Sequence, residues 1–136
     1  MEQLNDRIEK EHIEQKRLWY KYFYKKILIM PNSNTYNERK MYLDILDKIT
    51  PLQAELLTLL WQKNSPVVDE SIKHPFYSEP VILGSISQLK NNGLVTSFVN
   101  NIQIGGNGRI AEKIQISDFG KAFHSFCISD IIKLHD

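Results

Sequence analysis

The chain has a single cysteine, Cys127, so no disulfide can close within it, and a reducing compartment is its simplest setting. It has no apolar run approaching the ~20 residues that a membrane-crossing helix needs. Its start, MEQLNDRIEKEHIEQKR, carries too much charge for a secretory signal. Neither sign of charge is in excess: 17 basic and 16 acidic side chains leave a formal net charge of +1. No strong whole-chain field therefore draws it to nucleic acid or anionic lipid. These absences lead us to expect a soluble, cytoplasmic protein with no membrane among its partners.

Chemistry-bearing clusters are scarce as well. His12, His74, His124 and His135 lie far apart, and only His124 is near the cysteine. Structural zinc wants four ligands, usually in tightly spaced pairs, so no metal site is expected. His124 and Cys127 stand three apart on one helical stretch, but Cys127 continues an apolar side where cysteine behaves as a small hydrophobe. No Gly-Lys-Ser/Thr follows the glycine cluster Gly105-Gly106-Asn107-Gly108, and a strand pattern follows it where a phosphate loop would need a helix. Neither an enzyme nor a cofactor is expected.

What remains is a chain of 136 residues, 42% hydrophobic and 24% charged, enough for a sizeable core. Its charge is uneven: residues 1–40 hold nine basic and six acidic groups, residues 41–77 three and five, and residues 78–136 five of each. Residues 3–29 contain no proline or glycine and predict a long helix, which Pro31 and Asn32-Ser33-Asn34 break. Met41, Tyr42, Ile45 and Leu46 share a face of a helix over 37–48. Thr50, Pro51 and Gln53 form a helix start, with Gln53 closing a capping box. The helix that follows is apolar on two sides, with Leu52, Leu56, Leu59 and Leu60 on one and Ala54, Leu57 and Trp61 on the other, so it is buried on both. Residues 64–77 allow a short strand near Val67-Val68 or a helical turn near 69–73.

Ser78 caps the next helix, with Tyr77 and Ile82 spaced as a hydrophobic staple. Ile82, Ile86 and Leu89 face inward there, and Gly93 ends it in the left-handed conformation. Leu94–Ile104 and residues 109–117 then read as two strands joined by the glycine cluster, with Asn107-Gly108 suited to a tight turn. Ser117 caps a last helix. Ile82, Ile86, Leu89, Phe119 and Phe123 are expected to share one core. The fold class is α+β and mainly helical: a winged helix-turn-helix domain over 37–136, carrying an N-terminal helical extension over 1–36.

The pieces LDILDKITPLQAELLTLL at 43–60, His74-Pro75, LGSISQLKNNGLV at 83–95 and IQISDFGKAFHSFC at 114–127, in that order, resemble the C-terminal winged-helix part of the Abi-alpha family, named for abortive phage infection. Asn91-Asn92 and Ser117-Asp118 depart from the expected pattern. The resemblance implies a winged helix and a phage-defence setting, and carries over no catalytic residue.

Two groups of side chains are candidates for function. The outward face of the 78–92 helix and the hairpin offer Ser87, Gln88, Lys90, Asn91, Arg109 and Lys113 to nucleic acid, the amides and hydroxyl for base edges and the cations for phosphates. The segment KRLWYKYFYKK at 16–26 interleaves five basic and five aromatic residues. One reading is a helix for a membrane surface or nucleic acid; the favoured one is that Trp19, Tyr20, Phe23 and Ile27 pack on the domain or self-associate into a homodimer, with Lys21 and Lys25 in water. The expected function is a non-enzymatic binding module with a protein or nucleic-acid partner. The alternative is a DNA-binding regulator of the winged-helix class.

Overall fold

The computed structural model describes residues 2–31, 35–98 and 112–128. It is mainly helical with a small antiparallel sheet, an α+β arrangement. In chain order it contains α1 (Glu2–Ile29), α2 (Tyr36–Lys48), α3 (Pro51–Lys63), β1 (Val67–Val68), a 3-10 turn (Asp69–Ser71), α4 (Glu79–Asn91), β2 (Val95–Phe98), β3 (Lys113–Ile116), α5 (Asp118–Phe123) and a π-helical turn (His124–Ile128). Both alternatives for residues 64–77 occur, the strand at Val67–Val68 and the turn directly after it. Among the described residues no helix is long and apolar enough to cross a membrane.

The chain divides into two compact units, Met1–Pro51 with Phe123–Asp136, and Leu52–Ala122. In the first unit, Thr35 caps α2: its Oγ1 accepts from the Glu38 amide at 3.2 Å and donates to Glu38 Oε1 at 3.2 Å. Its core is aromatic. Phe23 meets Phe126 edge-on at 5.7 Å between centroids, and Tyr42 packs on Phe123 at 5.8 Å and Phe126 at 5.5 Å. Polar ties flank these rings. Lys16 Nζ donates to the Asp47 carbonyl at 2.6 Å, the Tyr20 hydroxyl donates to the Asp47 carboxylate, and Lys26 donates to the Ser125 carbonyl.

In the second unit the sheet order is β1-β3-β2, so β3 is the centre strand. Val67 pairs with Ile114 on one side, while Val95 pairs with Ile116 and Phe98 with Lys113 on the other. β2 and β3 pair antiparallel, as expected of the strands over 94–104 and 109–117. The turn expected at Gly105–Gly108, and Arg109, lie outside the described residues. Ile82, Ile86, Leu89, Leu94, Ile114 and Ile116 are buried, and full burial of each such side chain contributes roughly 1.5–3 kcal/mol.

The five residues expected to share one core divide between the two units. Ile82, Ile86 and Leu89 are buried in the second unit, where Phe119 lies beside Gly93, whereas Phe123 packs on Tyr42 in the first. Phe119 and Phe123 stand four apart on α5, and the division between the two units falls directly before Phe123.

Candidate functional site

α4 sets the geometry of the candidate surface. Ser78 precedes it in extended conformation without a side-chain cap bond, and Pro80 stands in its first turn, where no amide donor is missed. Its end is a Schellman motif: Leu94 N–H reaches the Leu89 carbonyl at 3.0 Å and Gly93 N–H the Lys90 carbonyl at 3.0 Å, with Gly93 at φ +78°. That turn sends the chain directly into β2.

With Ile82, Ile86 and Leu89 inward, Val81, Gly84, Ser87, Gln88 and Asn91 are exposed. Gly84, Ser87 and Lys90 line a hollow of about 320 Å³, with Asp69, Leu83, Ile86 and Glu112. A Cβ on Gly84 would meet nothing within 4 Å.

The hollow is polar and internally paired. Lys90 Nζ donates to Glu112 Oε2 at 2.6 Å, with about a quarter of each side chain exposed. Asp69 is buried. Its amide donates to the Glu112 carbonyl at 2.9 Å, and its Oδ1 accepts from the Glu112 amide at 3.3 Å. Gln88 is held from the side, since its carbonyl oxygen accepts from the Gln53 amide. Of the six residues offered to nucleic acid, Ser87 and Asn91 stand free on the α4 surface, and Lys113 is exposed on β3. Gln88 and Lys90 are tied to neighbours, and Arg109 lies outside the described residues. Residues 52–122 carry six basic and six acidic side chains, so this unit has no net charge with which to hold phosphates.

Sequence reasoning missed a second feature of the same unit. His74 Nδ1 accepts from the Phe76 amide at 3.0 Å, which leaves the ring proton on Nε2, 3.2 Å from Glu55 Oε2. The Tyr77 ring packs on the imidazole at 4.8 Å between centroids. The loop thus held presents Phe76 at 86% exposure, with Tyr77 and Val81 beside it in sequence also exposed. Signals were available for both features. The period of two along β3 puts Glu112 on the inward side with Ile114 and Ile116, and His-Pro-Phe-Tyr is an aromatic run with no helical or strand pattern to bury it.

The aromatic stripe of α1 faces inward. Trp19 and Phe23 are buried, Tyr20 is bonded to Asp47, and Ile27 is half-buried. Trp19 and Phe23 thus belong to the packing of the first unit, whereas Tyr20 and Ile27 stay partly exposed. His124 and Cys127 are buried too. Burial lowers the imidazole to about 4 and pushes the thiol well up, against a smaller opposing effect from the Lys26 ammonium. Among the described residues no group of three or more His, Cys, Asp or Glu side chains could hold a metal ion.

Searches against protein-family models, curated proteins and solved structures each return no match to this chain.

Proposed function

We propose that the Leu52–Ala122 unit is a winged-helix module, similar to the C-terminal part of Abi-alpha phage-defence proteins, that acts without catalysis by binding a protein partner. The winged-helix reading is supported by the order α3, β1, α4, β2, β3 and by a sheet in which β3 lies between β1 and β2. α4 then takes the position of the reading helix, and the hairpin that of the wing.

The observation that carries the preference for a protein partner is the 2.6 Å Lys90–Glu112 pair. It neutralises the cation that α4 would offer to a phosphate. DNA affinity rests largely on such cations, whereas protein partners are held by a few large buried anchors. Phe76, Tyr77 and Val81 supply anchors of that kind at the start of α4.

The second reading, a DNA-binding regulator, draws on the exposed Ser87, Asn91 and Lys113. A titration with random duplex DNA at two salt concentrations separates the two. Weak binding at physiological salt, unaffected by Arg109→Ala with Lys113→Ala, is expected. Tight binding whose log–log salt slope falls by about one unit per lost cation would establish the regulator. Glu112→Gln sharpens the comparison: it releases Lys90 and should raise duplex affinity only if α4 approaches the phosphates.

A further inference from the structure

The outer side of α1 is built differently from its inner side. Lys10, Ile13, Glu14, Arg17, Lys21, Tyr24, Lys25 and Leu28 recur at helical spacing and all are exposed. Four of them are cations and one is an acid. None of the four cations has an ion-pair partner among the described residues. The stripe runs about 27 Å along the helix.

At its C-terminal end the stripe becomes apolar. Leu28 is 81% exposed, Ile29 65% and Met30 43%, separated by one residue from Lys25-Lys26. Tyr36 of α2, 77% exposed, lines one hollow with Tyr24 and Ile27 and widens this apolar end. A soluble domain has no internal use for consecutive large apolar side chains left in water.

We propose that this side of α1, with the Leu28–Met30 tip, docks on an anionic lipid surface. The cations would lie among the headgroups and the tip would enter the boundary with the acyl chains. Two other occupants fit less well. In a two-fold pairing with a second copy, like-charged stripes would be brought face to face. Duplex DNA would satisfy the cations but leave Leu28 and Ile29 with nothing to enter. The expectation against membranes rested on the near-zero net charge of the whole chain and on the lack of a membrane-crossing apolar run. The outer stripe concentrates charge that the rest of the molecule cancels.

The test is co-sedimentation of the full chain with vesicles of phosphatidylcholine alone and of phosphatidylcholine with phosphatidylserine, at low and physiological salt. Binding to the anionic vesicles alone, weakened by salt, is expected. Lys21→Gln with Lys25→Gln should weaken it by about fivefold per cation, and Leu28→Glu with Ile29→Glu should abolish it. Because these side chains are exposed, unchanged helical circular dichroism checks that each variant folds. Equal binding to both vesicle types, binding that survives the Leu28/Ile29 change, or no binding to anionic vesicles would each overturn the proposal; in the last case, dimerisation that the Leu28/Ile29 change abolishes would assign the face to a second copy.

Discussion

The carbonyl oxygen of Leu94 lies where a side chain on Gly120 would begin. A Cβ at residue 120 would overlap that oxygen and come within 2.8 Å of Ile116 Cγ1. The oxygen cannot easily yield, because it accepts the Ser117 amide at 2.9 Å. Gly120→Ala should therefore destabilise the protein by about 1–3 kcal/mol or more, as read from urea unfolding. A change within error would mean that α5 does not start against β2.

Gly84 should respond in the opposite direction. It sits inside α4 with open space where a Cβ would go, and glycine in a helix interior costs roughly 0.5–1 kcal/mol relative to alanine. Gly84→Ala should raise the urea midpoint by a corresponding amount. If partner binding falls while stability rises, the hollow beside Gly84 is a place of close approach.

Gly93→Ala tests the backbone alone. A Cβ there would stand 3.9 Å from Phe119 Cδ1, an ordinary contact, so the cost comes from φ +78°. About 1–2 kcal/mol is expected, with Gly93→Asn milder because asparagine tolerates that region. Equal losses for the two variants would count against the left-handed turn.

His124 predicts a pH dependence. Folded, its imidazole takes up a proton only near pH 4, because burial penalises the charge; its ordinary value is 6.5. Between the two, the unfolded chain binds a proton that the folded chain does not, so stability rises with pH. The contribution is complete above about pH 6.5 and is lost as pH falls toward 4, with a ceiling of about 3 kcal/mol. Urea unfolding across this window should show the slope, and His124→Gln should flatten it. An equally steep slope in the variant would assign it to other groups.

Cys127 should be chemically quiet. Its thiol is held protonated by burial, and the thiolate is the reactive form. A disulfide reagent should label native protein slowly and unfolded protein at once. Labelling of native protein at the rate of a free thiol would mean that the π turn opens readily.

The features legible in the sequence were those written in neighbouring residues. The left-handed Gly93 and the inward Ile82, Ile86 and Leu89 depend on local spacing. So does the Ser117 cap, whose hydroxyl accepts the Gly120 amide at 2.8 Å. The pairing of β2 with β3 was legible from alternation and the glycine cluster between them. The features that decide the candidate surface were not local. Gln53 reaches Gln88, Lys90 reaches Glu112 and Asp69 reaches Glu112, each across a separation that no periodicity spans. Sequence offered Gln88 and Lys90 as free donors because a side chain's partner is set by tertiary placement, not by its position on a helix face. The placement of β3 between β1 and β2 was hidden for the same reason, since β1 has only two residues.

The rings of Phe23 and Tyr42 close on Phe126 and Phe123, side chains that the ribosome adds only after the whole Leu52–Ala122 stretch. During synthesis, α1 and α2 emerge first and must wait with that aromatic face uncovered. A chain stopped before Phe123 would leave that aromatic face unsatisfied. Such a product exposes apolar surface of the sort that chaperones bind and proteases remove. The C-terminal turn thereby ties closure of the first unit's core to translation through Phe126.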